Sequence, residues 1–597
     1  MTDSVRLTPQ VPAVTTEAAS SPSVRLLGWL AGIGIGGAIL IMIGAALVRE
    51  DWMTPRIAMP ATGPPFELHV HVSGELASLA LWLSALLALG GVVAGLVAAR
   101  HGARGPIGLI LVAAAVSVLL LAVLPPAGST DALDYAAYGR LVLLGDNPYV
   151  ATPLFIRLTD PAFGASVPAH WQHQVSLYGP AATLEQYLAA KLGGNSIARV
   201  VFWLKAWNAL AFGVVAVALD RTLRFRPSAR LRAHLLWTIN PLLLWDLVAA
   251  GHVDAAAAAA GILGLLVLGR QPAGDGSEAP VWQPRIWRAV AAGALIGLAA
   301  DVKIDYLLFG AALAWALRRS VPALIAAAAG ALAVLAPTYA WLGKPAIMGL
   351  FARTDQTTQE SFYRSVDLTG WPYLGVLAAL LGIGIAALLL WRLPPSDPLR
   401  PALRPAIALS LAWIVIWPYE LPWYDAMVIC VLVLAPASRL DWLVLVRLCA
   451  GTIANMPGNV GGVPVRSLKA FDTFLVHGVA PPVLFGVALA VVLLAVWRAW
   501  GVQRETDQAP AWPYDRVPLA AGVVGNPKRA VAGGSGDYPA CTGQAARRRR
   551  ERVAGSRVPR SLSRKRGPCG HRCRRSAALA RRLAGCQSVG CRRPGRT

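Results

Sequence analysis

Apolar residues run through the chain in long blocks separated by short polar connectors, and block length predicts what each becomes. A run near ~20 residues spans the hydrocarbon as a helix, because only bonds within the segment can satisfy its backbone there. Nine runs qualify: Leu26–Val48, Leu76–Ala99, Pro106–Leu124, Ile197–Leu219, Ala233–Ala250, Val321–Leu342, Trp371–Trp391, Pro405–Tyr419 and Ala480–Trp497. Five shorter ones are Ala255–Leu268, Ala289–Ala300, Tyr306–Leu317, Met427–Ala437 and Trp442–Asn455. The chain therefore reads as an all-α polytopic membrane protein with about 12–14 transmembrane helices. The first run is too long for a cleavable signal and reads as a retained anchor.

Basic residues in the connectors give the orientation. One set is short and dense in arginine: Arg100 and Arg104; Arg221, Arg224, Arg226, Arg230 and Arg232; Arg270, Arg285 and Arg288; Arg318 and Arg319; Arg392, Arg400 and Arg404. The alternate set, residues 49–75, 125–196, 343–370 and 457–479, is longer and poorer in Lys and Arg. The first set is predicted to be cytoplasmic, with both termini inside and the large 125–196 loop outside. The expected organisation is a cytoplasmic segment over 1–25, a membrane domain over 26–500 and a cytoplasmic tail over 501–597.

Composition agrees with a bilayer and corrects one impression. With 56% hydrophobic and 14% charged residues in 597, a soluble multidomain enzyme is excluded. The net charge of +24 suggests nucleic acid until it is divided along the chain. Residues 526–597 hold 20 Lys and Arg against 2 Asp and Glu, a net +18, which leaves +6 for residues 1–525. No nucleic-acid partner is implied. The tail reads either as a disordered cytoplasmic segment whose arginines, Arg547 to Arg550 among them, attract anionic membrane lipids, or as the frame-shifted translation of a GC-rich end. Its cysteines, Cys541, Cys569, Cys573, Cys586 and Cys591, match no paired metal-ligand spacing. Cys430 and Cys449 lie in apolar runs and read as small hydrophobes.

Ionisable groups near hydrocarbon are costly, so their positions map function by default. Asp131 and Asp134 follow Pro125-Pro126 at the outer end of the third run, and Asp246, His252 and Asp254 cluster at the outer end of the fifth. Asp301, Lys303 and Asp305 sit between two half-length runs, and Glu420 and Asp425 flank Pro422-Trp423-Tyr424. Singly, each has a plain structural explanation: a helix-terminal Asp131, an Asp246–Lys205 packing pair, an interfacial aromatic belt. Together they point to one external vestibule. If the helix continued through Lys303, Asp301 and Asp305 would share a face, with Lys303 opposite.

Within the large loop, residues 131–144 read as an amphipathic helix on the membrane surface, ended by a turn at Gly145-Asp146-Asn147-Pro148. It would set carboxylates at the vestibule mouth beside Tyr135, Tyr138 and Arg140, a setting suited to a sugar and a phosphate. The run Gly32-Ile-Gly34-Ile-Gly36-Gly37 lies inside the first span and reads as packing glycine. Walker, HExxH and CxxC patterns are absent from the sequence.

Six short motifs carry a family resemblance: Ser129-Thr130-Asp131 with Asp134-Tyr135; Gly145 to Tyr149; Tyr178-Gly179-Pro180; Asn240-Pro241-Leu242 leading to Gly251-His252-Val253-Asp254; Val302-Lys303; and Pro422-Trp423-Tyr424. In this order, over roughly residues 25–500, the chain resembles the GT-C membrane glycosyltransferases, in particular the actinobacterial polyprenol-phosphate-mannose-dependent α-1,6-mannosyltransferases. It departs from them in Ile-Asp-Tyr after Lys303 and in Asp254, where relatives often carry Asn.

The resemblance implies a polyprenyl-phosphate sugar donor, a glycolipid or lipoglycan acceptor and inversion at the sugar. Asp131 takes the role of general base, with Asp134 as its alternative or an orienting group. Lys303 and Arg140 are candidates to steady the phosphate, His252 to donate a hydrogen bond to phosphate or sugar, and Tyr178, Asp254, Trp423 and Tyr424 to complete the donor site. No obligatory metal or other cofactor is implied, and a divalent ion at Asp131 and Asp134 stays open. Mannose is the expected sugar, arabinofuranose the alternative. A transporter or lipid flippase also needs many spans and broken helices. The halves of this chain show no repeat, and its acidic groups gather at the outer ends.

Overall fold

The computed structural model describes residues 21–48, 57–169, 171–269, 284–349, 356–393, 400–457 and 465–502. Arg270, Arg547 to Arg550, the five tail cysteines and most of the proposed terminal segments lie outside them. Among the described residues the chain is helical, with no strand. A helix forms over each of the fourteen apolar runs.

Among the described residues, six helices are long and apolar enough to cross a membrane: Pro22–Leu47, Gly74–Arg100, Ile197–Leu223, Val321–Leu342, Leu374–Arg392 and Lys469–Trp497. The expectation of 12–14 full spans is thus met only if shorter helices count. Ile107–Val123, Ile304–Leu317, Leu403–Ile416 and Pro422–Leu432 are apolar but shorter, and Pro227–Ala249 with Asp254–Val267 forms a pair bent by 116°. At 1.5 Å per residue, a fourteen-residue helix reaches only about 21 Å of a ~30 Å core. The short helices break at the polar residues singled out above, where an interrupted backbone is tolerated only against protein or water.

The outer surface of the bundle is that of a protein in lipid. Leu40, Leu109, Leu119, Ile325 and Ile383 are 63–71% exposed, and such breadth of bare apolar surface is unstable in water. Between helices, small residues allow close approach. A Cβ on Gly91 would stand 2.6 Å from the Ile35 nitrogen, and one on Gly34 2.8 Å from Gly91 Cα. Of the first-span glycines, Gly34 makes the backbone contact, whereas Gly32 and Gly36 face open space. Cys430 and Cys449 are buried thiols, as their apolar setting predicts.

The arginine-rich connectors meet at one end. Arg232 bonds the Asp441 carboxylate at 2.5 Å, Arg100 approaches it at 3.7 Å, and Arg439 donates its backbone N–H to the Trp500 carbonyl. Trp500 Nε1 donates to the Arg392 carbonyl. The residues expected to carry chemistry lie at the opposite ends of these helices.

The Asp131–Leu144 helix corrects one expectation. It is not amphipathic in its setting, because Ala132, Leu133, Tyr135, Ala136, Ala137, Tyr138 and Leu141, on all sides of the helix, are buried against protein. It packs against the Pro180–Gly193 and Ile197–Leu223 helices. Alanine-rich sequence on both sides lets neighbours close over it, a pattern that looks the same as weak amphipathicity when only the sequence is read.

Candidate functional site

A cavity of about 510 Å³ opens among these helix ends, lined by Asp131, Asp134, Tyr178, Lys303, Trp423 and Tyr424 together with residues of the 357–364 loop. Its size falls within the range of small-ligand clefts. Six of the nine residues given catalytic or donor-site roles from sequence therefore line one cavity.

Asp131 opens its helix, and its backbone N–H donates to Ser129 Oγ at 3.2 Å. The carboxylate lies 3.5 Å from His252 Nδ1 and stays partly exposed to the cavity. Burial pushes this carboxyl up to about 6, against the opposing pull of Ser129 and of the Lys303 charge. A group tuned so close to neutrality while remaining accessible is suited to general base work.

The surrounding aromatics fix its neighbours. The Tyr135 hydroxyl donates to the Tyr178 hydroxyl at 3.1 Å and lies 3.4 Å from His252 Nδ1. Burial raises both phenols well above their ordinary range, so they stay neutral donors. His252 stacks on Trp423 with ring centroids 3.7 Å apart. Lys303 Nζ bonds Asp254 at 2.5 Å and sits 3.3 Å from the centre of the Tyr424 ring. The cation is thus held between a carboxylate and a π face.

Lys303 reaches this position because the helix stops. Ile286–Val302 ends at an extended Lys303 (φ −146°, ψ 119°), followed by a short 3-10 turn over Ile304–Tyr306. Asp301 and Asp305 therefore do not share a helical face: Asp305 lines the cavity, and Asp301 is buried behind it. The same break explains Tyr178-Gly179-Pro180. The Gly179 N–H donates to the Val302 carbonyl, and Pro180 starts the next helix. A Cβ on Gly179 would stand 1.8 Å from the Asp301 carbonyl oxygen. Gly179→Ala is accordingly expected to cost about 1–3 kcal/mol by overpacking and to displace Tyr178. A fall in melting temperature in detergent, with reduced activity, checks this; an unchanged melting temperature contradicts it.

Three expected residues sit elsewhere. Arg140 does not line the cavity: its guanidinium bonds Asp160 at 2.8–2.9 Å and Asn195 at 3.1 Å and covers the Phe163 ring. It stands nine residues after Asp131, about two and a half turns further along the same helix. His252 and Asp254 are buried and are not among the lining residues; they contact Asp131 and Lys303, which are. Other vestibule candidates also turn inward. Glu420 and Asp425 both bind Arg447, and Asp246 accepts from Thr452 Oγ1 at 2.8 Å. Lys205 does not pair with Asp246; it donates to the carbonyls of Leu124 and Pro125 at 2.7 and 3.0 Å.

Sequence reading missed part of the lining. Glu360, Asn455, Trp413 and Trp417 all line the cavity. Glu360 was the one with a signal, an acid in an extracytoplasmic-type loop. Among the described residues, no group of three or more His, Cys, Asp or Glu side chains could hold a metal ion.

Residues 31–319 match the family model described as "Alpha-(1->6)-mannopyranosyltransferase, N-terminal domain". That span contains Asp131, Asp134, Tyr178, His252, Asp254 and Lys303 and stops short of Trp423 and Tyr424. A protein of Mycolicibacterium smegmatis (strain ATCC 700084 / mc(2)155), described as a probable alpha-(1->6)-mannopyranosyltransferase, is 27% identical over 348 residues. The match covers 51% of this chain and 61% of that relative's length. No solved structure matches the chain.

Proposed function

We propose that the chain is an alpha-(1->6)-mannopyranosyltransferase, as the family match over residues 31–319 and the Mycolicibacterium relative support, and that it transfers mannose from a polyprenyl-phosphate donor to a hydroxyl of a lipoglycan or glycolipid acceptor. We place the reaction at the outer face of the cytoplasmic membrane, in the GT-C manner. The observation that carries this reading is the pairing in one cavity lining of an accessible carboxylate titrating at about 6, Asp131, with the clamped cation Lys303.

The chemistry follows from their roles. Asp131 takes the proton of the acceptor hydroxyl as that oxygen forms its bond to the sugar's anomeric carbon. The bond from that carbon to the phosphate oxygen breaks, and polyprenyl phosphate leaves with the electron pair. Lys303, already oriented by Asp254 and Tyr424, offsets the charge that grows on the phosphate without reorganising. Attack opposite the leaving group inverts the centre, so a β-linked donor gives an α-linked product. Trp423 and Tyr424 cover the sugar ring or the first isoprenes. Arg140, tied to Asp160, takes no part in this scheme.

The outward placement is supported by the convergence of the arginine-rich connectors on the end away from the cavity. Nucleotide sugars are cytoplasmic, so an external site calls for a lipid-carried donor. The test is transfer of radiolabelled mannose from polyprenyl-phosphate mannose to a membrane lipoglycan, with membranes containing the chain. Label in the glycan supports the reading, and movement of the lipid without transfer would make the protein a flippase. Chelation with EDTA is expected to leave transfer unchanged. Loss restored by a divalent cation would instead assign one to Asp131 and Asp134.

A further inference from the structure

Part of the cavity lining that the mannosyl-transfer scheme does not use has a chemistry of its own. Glu360 is only 4% exposed, yet it lines the cavity, and it accepts from Asn455 Nδ2 at 2.9 Å. Its own backbone N–H and Thr358 also approach the carboxylate, and of the about four acceptor sites of an ionised carboxylate these leave one open to a ligand. Trp413 and Trp417 stack with centroids 4.0 Å apart, and both line the same space. Trp413 Nε1 is buried and has no hydrogen-bond partner among the described residues. A buried donor without an acceptor costs free energy unless a ligand supplies one.

From this geometry we propose that Glu360, Trp413 and Trp417 form a subsite for a neutral hexopyranose residue of the acceptor glycan. The proposal rests on the mannosyl-transfer reading and deepens it. An aromatic stack offers a flat apolar surface to the C–H face of a pyranose. Glu360 takes one sugar hydroxyl as donor, and the Trp413 N–H meets a ring or hydroxyl oxygen. The phosphate of the donor is unsuited to this part of the lining, since Glu360 would repel it, and its counter-charge, Lys303, stands beside Asp131. Arg364 also lines the cavity but is exposed at its edge, with Nε committed to the Thr358 carbonyl at 2.9 Å.

Two variants of the full chain separate this role from a structural one. Glu360→Gln removes the charge and keeps the shape. Trp413→Phe keeps the stack and removes an N–H that has no partner among the described residues, so folding loses no hydrogen bond seen there. Both are expected to raise the KM for an alkyl α-1,6-mannobioside about tenfold, as loss of one strong hydrogen bond does, with the KM for polyprenyl-phosphate mannose unmoved. A rise in donor KM instead, or no change in acceptor KM, would overturn the subsite. If the wild type transfers no mannose, the mannosyl-transfer reading fails, and calorimetric titration with α-1,6-mannobiose decides the subsite alone. Binding by the wild type that is lost in both variants upholds it; no binding by the wild type overturns it.

Discussion

Asp131→Asn is expected to lower mannose transfer by about 10²–10⁴-fold, the range that a positioned general base supplies, while the protein folds and inserts as before. The substitution keeps the size of the side chain and leaves the Asp131 backbone bond to Ser129 available. What it removes is the acceptor for the hydroxyl proton. In the wild type, kcat/KM should fall tenfold per pH unit below about 6, where the Asp131 carboxyl becomes protonated, and level off above it. Stability moves in the opposite sense. Because the folded-state value, about 6, lies above the ordinary 3.8, the folded protein binds this proton more tightly than the unfolded chain does. The group's contribution is largest below 3.8 and is lost as pH rises through about 6. At neutral pH the Asn variant is therefore expected to melt no lower than the wild type. Equal transfer by both proteins would remove Asp131 from the base role, and a variant that melts well below the wild type would make its inactivity uninformative.

The parts of this arrangement legible in sequence were those that depend on local composition. Apolar run length located a helix at each of the fourteen runs, though not the Pro180–Gly193 helix, and polar residues at run ends located Asp131, Lys303 and Trp423. What escaped was whatever depends on the partner across a gap. His252 and Asp254 stand next to the cavity in sequence terms, yet whether they face it or back its wall is decided by Trp423 and Lys303, roughly 170 and 50 residues away. The pairing of Glu420 and Asp425 with Arg447 was hidden for the same reason: a buried arginine in an apolar helix gives no hint of which acids it holds. The helix break at Lys303 was visible as a polar interruption, but its extended backbone was not. Gly179 needs no positive φ there. Its requirement is space against Asp301, which no local pattern encodes.

Lys303 gives the second large effect, and it separates two functions of one charge. Lys303→Met leaves Asp254, 2% exposed, without its 2.5 Å partner. Breaking a buried pair from one side costs about 3–5 kcal/mol, because the remaining charge stays desolvated. A marked fall in melting temperature is expected, along with a loss of roughly 10²–10³ in kcat from the missing phosphate cation. Adding Asp254→Asn should restore most of the stability, since the neutral amide no longer needs a counter-charge in the same space. It should not restore catalysis, because no cation then faces the leaving phosphate. Lys303→Arg tests the geometry rather than the charge. A guanidinium is larger than an ammonium and spreads its charge over a plane, and in a nearly closed site between Asp254 and Tyr424 it cannot keep the charge at the Nζ position, so the charge-conserving variant is expected to lose most of its kcat as well. Melting temperatures and kcat for the three variants give the answer together. Recovery of both in the double variant would reduce Lys303 to a packing role, and recovery of stability alone would assign it to the transition state.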